Sequence, residues 1–282
     1  MSKIQKALNR ASSEGRLVVF ERRTGGVPGR DLVPTSTELE LRARSTAAIA
    51  QMRETKLRSK AELAEAGIIA PELEENPTVK AFRELRTKIL QRTGGRNCSV
   101  MVTGVTSRAG ATFAAVNLSA AFAFDASKTA VLIDCNLRNP RLQSLFGKER
   151  ASGLTDYLES PSMDLAEIIH PVGVERLRVI PAGGRREVPA EYFTSIKMKR
   201  LLYEVTTRYP ERFIILDAPP MTASADTQIL ATLCDFTILV VPYGAVTPAQ
   251  LEACVKDIDP EKLLGVVFNN EPRLPPLGRT RG

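Results

Sequence analysis

The fold turns on SVMVTGVTSRAGATF, residues Ser99 to Phe113. Its first seven residues are nearly all apolar or small, as a strand buried on both faces requires. A loop of mostly small residues follows, and residues 111–125 then read as a helix. A strand, such a loop and a helix opening on Thr112 form the layout of a phosphate-binding loop. Backbone N–H groups and the positive end of the helix would face an anion there. The lysine of the literal P-loop pattern is missing, because Ala111 occupies its place. Taken alone, the loop reads as a tight structural turn.

Working outward, further apolar runs stand at 129–133, 177–181, 213–216, 236–241 and 263–268, beside the first at 99–105. Helical stretches at 111–125, 195–208, 224–233 and 247–257 lie between them. Apolar strands alternating with helices predict an α/β fold, a doubly wound, mostly parallel sheet with helices on both faces. Ligands of such sheets sit at the carboxyl ends of the strands. Asp134 ends the second run, Asp217 the fourth and Asn269 the last. An aspartate ending a strand beside a phosphate loop can hold Mg²⁺ directly or through water. One such aspartate would be a cap or turn residue. Two of them, with Thr112 at a third strand end, form a constellation.

The N-terminal part has another character. Residues 1–37 are polar and rich in Gly and Pro, as in a tail. At its start Ile4, Ala7, Leu8 and Ala11 share one face of a possible short helix. Residues 38–66 contain neither Pro nor Gly and predict a long polar helix ending at Gly67. A second helix is expected from Asn76-Pro77, with Val79, Phe82, Leu85 and Ile89 as its apolar face. The expected organisation is a basic tail and helical extension over 1–75, then a P-loop-like α/β domain over 76–282. The whole formal charge of +7 lies in residues 1–96, while the rest is neutral. That excess suits an acidic partner or an ordinary solvated surface.

Other classes fall away. No run of eighteen apolar residues signals a membrane span, and MSKIQKALNR lacks the apolar core of a signal peptide. The four cysteines have neither zinc spacing nor a disulfide framework, and His170 is the only histidine, read as a loop residue. The expected place is the cytoplasm, with room for peripheral contact at the inner face of the membrane.

From about Asn76 to Asn270 the sequence resembles the bacterial tyrosine kinases of capsule and exopolysaccharide synthesis, relatives of the Min/Par-type ATPases. The resemblance is carried by KAFRELRTKIL, the loop, LIDCNLRNPRL, GLTDYL (Gly153–Leu158), VIPAGG (Val179–Gly184), IILDAPP with Ala225-Asp226, and GVVFNN. It implies a P-loop NTPase-like domain whose ATP would meet Arg108, Gly110, Ala111, Thr112 and Asn269. Mg²⁺ would meet Thr112, Asp134 and Asp217, the two aspartates being the catalytic acids, here vestigial. It also implies an inner-membrane polysaccharide chain-length or export protein as partner, and no nucleic acid.

The departures matter as much. The family carries Gly-Lys-Ser/Thr where this chain has Gly110-Ala111-Thr112, and a glycine at Arg108. Its second acidic motif has an aspartate where Asn136 stands. Its oligomer-forming Glu-x-x-Arg-x-x-Arg is Lys80-x-x-Arg83-x-x-Arg86 here, an interaction site with its acid turned into a base. The tail EPRLPPLGRTRG carries no tyrosine. The expectation is a kinase-like protein of polysaccharide synthesis or export, impaired in catalysis and acting as a regulatory or scaffolding subunit, with weak ATP and Mg²⁺ binding. Two alternatives stand beside it: an active tyrosine kinase that uses Arg108, and a Min/Par-like positioning ATPase.

Overall fold

The computed structural model describes residues 54–71, 76–223 and 225–270, with scattered positions from 43 to 52. The short helix expected near Ile4 and the tail after Asn270 lie outside the described residues. Six apolar runs become the parallel strands β1 (Ser99–Gly104), β2 (Thr129–Asp134), β4 (Leu177–Ile180), β5 (Arg212–Asp217), β6 (Phe236–Pro242) and β7 (Leu263–Asn269). A two-residue strand, β3 (His170–Pro171), pairs antiparallel with β4. The order across the sheet is β3-β4-β2-β5-β1-β6-β7. The doubly wound α/β sheet expected from the sequence is therefore present. His170 lies in this edge strand, with Nε2 at 2.7 Å from the Ser152 carbonyl.

Helices cover both faces. On one face lie α1 (Lys60–Glu65), α2 (Pro77–Thr93) and α3 (Ala111–Ala123). On the other lie the short α5 (Leu154–Glu159) and α6 (Ala190–Thr194), then α7 (Ile196–Arg208) and α8 (Ala225–Leu233). The five-residue α4 (Leu142–Phe146) follows β2, and α9 (Pro248–Lys256) packs against β6. Helix α2 starts as expected, with the Asn76 side chain accepting from the Thr78 amide at 2.8 Å and Pro77 in the first turn. Val79, Phe82, Leu85 and Ile89 are all buried. Helix α3 is rich in alanine and nearly all buried, so it lies close against the sheet.

The long helix expected over 38–66 does not run through. Residues 54–59 are not helical, and α1 begins afresh at Lys60 behind a Ser59–Glu62 capping box. Long-range bonds hold the break open. Glu54 accepts from the Arg176 amide and from the Arg178 guanidinium, each at 2.9 Å. The Arg58 amide donates to the Gly173 carbonyl at 2.8 Å and its Nε to the Val172 carbonyl at 3.1 Å. The chain is thereby fastened to the turn between β3 and β4. Leu63 of α1 and, beyond it, Ile68, Ile69 and Ala70 enter the same core as α2, on the N-terminal side of the expected 75/76 boundary. Buried Asn117 of α3 holds this segment: its Oδ1 accepts from the Ile69 amide at 2.7 Å and its Nδ2 donates to the Gly67 carbonyl at 2.9 Å.

Candidate functional site

Parallel register gathers the strand ends on one edge. Asp134 of β2 lies beside Asp217 of β5, and β5 pairs in turn with β1, which leads into the loop at Val105. Asn269 ends β7 and reaches the same loop, its Nδ2 donating to the Ala109 carbonyl at 3.0 Å. Arg108, Gly110, Ala111, Thr112, Asp134, Asp217 and Asn269 are thus brought to one end of the sheet. Asn269, expected to meet ATP, spends its amide on the loop in this structure.

The loop has no room to spare. Gly110 has φ +90°, a conformation that L side chains rarely adopt, and an added Cβ would lie 1.9 Å from Asn269 Nδ2. Arg108 also has positive φ, at 63°, where the family's glycine would sit without strain. Its side chain is exposed and has no partner among the described residues. Gly110 is the N-cap of α3 and supplies no side-chain acceptor, so side chains leave the first amides of a thirteen-residue helix uncapped. Such amides, at the positive end of the helix, can receive an anion.

The two aspartates differ. Asp134 is fully buried and accepts from three amides, Asn136 at 3.1 Å and Arg141 and Leu142 at 3.0 Å each. It shapes the turn into α4. Burial raises its pKa to about 6, against the pull of those amides. Asp217 is 1% exposed, and neither of its side-chain oxygens has a hydrogen-bond partner. Burial first, then the neighbouring Asp134 charge, push its pKa well above the usual range. The Thr112 hydroxyl works the other way, without closing a hydrogen bond of normal geometry. A buried carboxylate with both oxygens free, beside Thr112 and an uncapped helix start, has the chemistry of a divalent-cation and phosphate site. What the arrangement does not offer is an inward-facing cationic side chain at Ala111.

A pH dependence follows. Both carboxyls bind protons more tightly folded than unfolded, so their protonation favours the fold; the contribution of Asp134 is lost as pH rises through about 6, and that of Asp217 is likewise lost above the ordinary carboxylate range. A carboxyl moved from 3.8 to about 6 is worth on the order of 2–3 kcal/mol between the two limits. Without metal or nucleotide, the urea midpoint should rise as pH falls from 7 to 5. Asp217→Asn should flatten that rise and lift the midpoint at pH 7. A midpoint that falls between pH 7 and 5 in the native chain would contradict the buried pair.

Three features were missed in the sequence. Arg138 donates to Asp226 at 3.2 and 3.1 Å, joining the loop after β2 to the first turn of α8. GLTDYL and VIPAGG are halves of one joint: the Leu154 and Thr155 amides donate to the Pro181 and Ala182 carbonyls, and the Gly184 amide to Thr155 Oγ1. A Cβ on Gly153 would lie 2.3 Å from the Pro181 carbonyl oxygen, so only glycine fits there. The third is Asn117, whose lone amide in an alanine-rich helix was a signal in plain view. Of the expected interaction residues, Lys80 is exposed, while Arg83 and Arg86 are partly buried and donate to the Pro71 and Ala121 carbonyls at 2.9 Å each.

No family model matches the chain. Curated proteins do. The tyrosine-protein kinase YwqD of Bacillus subtilis is 32% identical over 193 residues, covering 67% of this chain and 80% of that protein. The tyrosine-protein kinase wzc of Salmonella typhi is 29% identical over 201 residues, which are 69% of this chain and only 27% of that protein. Among solved structures, the BceF tyrosine kinase domain superposes with a TM-score of 0.64 at 25% identity, covering 96% of this chain and 97% of that one. Coverage this broad, over a P-loop sheet carrying the motifs described above, makes the chain a member of the bacterial tyrosine-kinase family of capsule and exopolysaccharide biosynthesis.

Proposed function

We propose that the protein serves polysaccharide synthesis or export as a regulatory or scaffolding subunit whose kinase chemistry is lost or weak. The observation that carries this reading is Ala111, the first residue of α3, at the place where the family has the P-loop lysine. Losing a charge-assisted bond to phosphate costs about 1.5–3 kcal/mol, or one to two orders of magnitude in affinity. The loss in phosphoryl transfer is larger, because the charge in transit loses a donor. In this reading Thr112, Asp134 and Asp217 still hold Mg²⁺, and Arg108, Gly110, Ala111 and Thr112 border the phosphates. Asn269 lies toward the base. Mg²⁺ would supply charge neutralisation between the phosphate oxygens; the chain's own residues position it.

The partner is an inner-membrane polysaccharide chain-length or export protein, met at the inner face of the membrane by the basic N-terminal third. Among the described residues no helix is long and apolar enough to cross a membrane; the contact in this reading is peripheral, made by the basic charge. Lys80 stands exposed where the family's ring contact has an acid, and a base there disfavours self-association through that contact. An active kinase is the second reading, and Arg108 favours it, as an exposed and unpartnered cation on the loop itself. The joint between GLTDYL and VIPAGG, motifs of the capsule family, speaks against a Min/Par-type positioning ATPase.

One experiment tests the proposal. The full chain is incubated with ATP, Mg²⁺ and the membrane protein from the same genetic locus, then captured and probed for phosphotyrosine. The expected result is salt-sensitive co-capture without tyrosine phosphate. Robust incorporation that disappears in Asp134→Asn would establish the kinase reading instead.

A further inference from the structure

At the amino ends of the strands, opposite the nucleotide end, stand two buried arginines in different circumstances. Arg178 of β4 donates from Nη1 to the Glu54 carboxylate at 2.9 Å, and the other Glu54 oxygen accepts from the Arg176 amide. Arg212, the first residue of β5, is 6% exposed. Its guanidinium carbon lies 3.9 Å from the centre of the Tyr209 ring, and its Nε has no hydrogen-bond partner. Glu211, its neighbour in the chain, forms no ion pair with it and itself keeps Oε2 buried and unpaired. Thr129 of β2 is the register partner of Arg212, so the two side chains leave the sheet on one face. Thr129 is fully buried, and its hydroxyl also lacks a partner. Arg178 stands opposite Val131, two residues further along β2, and so on that same face.

A buried cation without a counterion is costly, and stacking on one ring recovers only part of the cost. Burial lowers the pKa of Arg212; the Tyr209 and Glu211 side chains work against that, and the charges of Arg178 and Arg208 add to it. The neighbouring arginine shows what this edge of the sheet accepts, a side-chain carboxylate brought in from 124 positions away. We propose that Arg212 and Thr129 form a second carboxylate-binding site, which takes an acidic side chain of a protein partner. The guanidinium offers N–H donors in one plane and the threonine hydroxyl a further donor, which together match a planar acceptor with two oxygens. With so little of Arg212 exposed, a slender carboxylate reaches it where a bulkier phosphate ester does not. A partner held here leaves the nucleotide end of the sheet open.

The test uses the full chain labelled with ¹⁵N at arginine, with the Nε–H resonance of Arg212 identified by its loss in Arg212→Met. Acetate, a hexaglutamate peptide and inorganic phosphate are titrated separately at one ionic strength. Acetate and the peptide are each expected to shift that resonance to saturation. Acetate should also raise the thermal midpoint of the native chain by about 2 °C or more, and that of Arg212→Met by nothing. Thr129→Val, checked for native circular dichroism, should weaken acetate binding about fivefold, as the loss of one hydrogen bond implies. A resonance that moves with phosphate alone, or with none of the three, would overturn the carboxylate site. So would an acetate effect on the midpoint that survives in Arg212→Met. A shift with acetate but not with the peptide would overturn the protein partner and make the ligand a small free carboxylate.

Discussion

Deleting residues 1–75 is expected to cost the protein a large share of its stability, whereas deleting residues 1–53 leaves the domain folded. The segment 54–71 buries Leu63, Ile68 and Ile69 in the core shared by α2 and α3. Burying each such side chain is worth about 1.5–3 kcal/mol. Its removal also strips buried Asn117 of the Ile69 amide and the Gly67 carbonyl. A buried polar group left unpaired costs a further 1–3 kcal/mol or so. Freed chain entropy offsets part of this. The net loss should still be about 3 kcal/mol or more, against a total that is typically about 5–15 kcal/mol. Urea midpoints of the two truncations are the measurement. Equal midpoints would mean that 54–71 stands outside the folding unit. The shorter truncation is therefore the right one for asking what the basic tail contributes to partner capture.

The contrast between these cuts marks where the sequence was legible. The six long strands were visible because a strand covered on both faces must be apolar throughout, and a continuous run shows at short range. β3 was not visible, since His170-Pro171 has no pattern to show and becomes a strand only by pairing with Val179 and Arg178. The break in the helix expected over 38–66 was equally hidden. Local composition favoured the helix, and the bonds that interrupt it join Glu54 to Arg178 across 124 positions and Arg58 to Val172 across 114. The candidate site divides in the same way. Asp134, Asp217 and Thr112 could be read from strand ends alone. That Asp134 accepts from three amides while Asp217 is bare depends on the path of the chain into α4. Likewise the inward turn of Arg83 and Arg86 depends on where Pro71 and Ala121 come to lie.

Gly110 offers the sharpest local test of how this loop is held. Its φ of +90° would strain any side chain, and a Cβ would fall 1.9 Å from Asn269 Nδ2 and 3.1 Å from Asn269 Cγ. Gly110→Ala must therefore accept backbone strain of about 1–2 kcal/mol and also displace the Asn269 amide. Displacement breaks the bond to the Ala109 carbonyl, worth about 1 kcal/mol. The expected loss is about 2–4 kcal/mol in all. Asn269→Ala alone should cost about 1 kcal/mol, the bond and no more. In the double variant the collision is absent, since the alanine methyl enters the space that the amide has left, and the backbone strain remains. The double variant should then be more stable than the sum of the singles predicts, by about 1 kcal/mol. Denaturant unfolding of the four proteins gives this coupling directly. Strict additivity would mean that Asn269 does not rest against Gly110 in solution. The amide would then be free to meet a bound base, and the loop would be held by Gly104 and Ala109 instead.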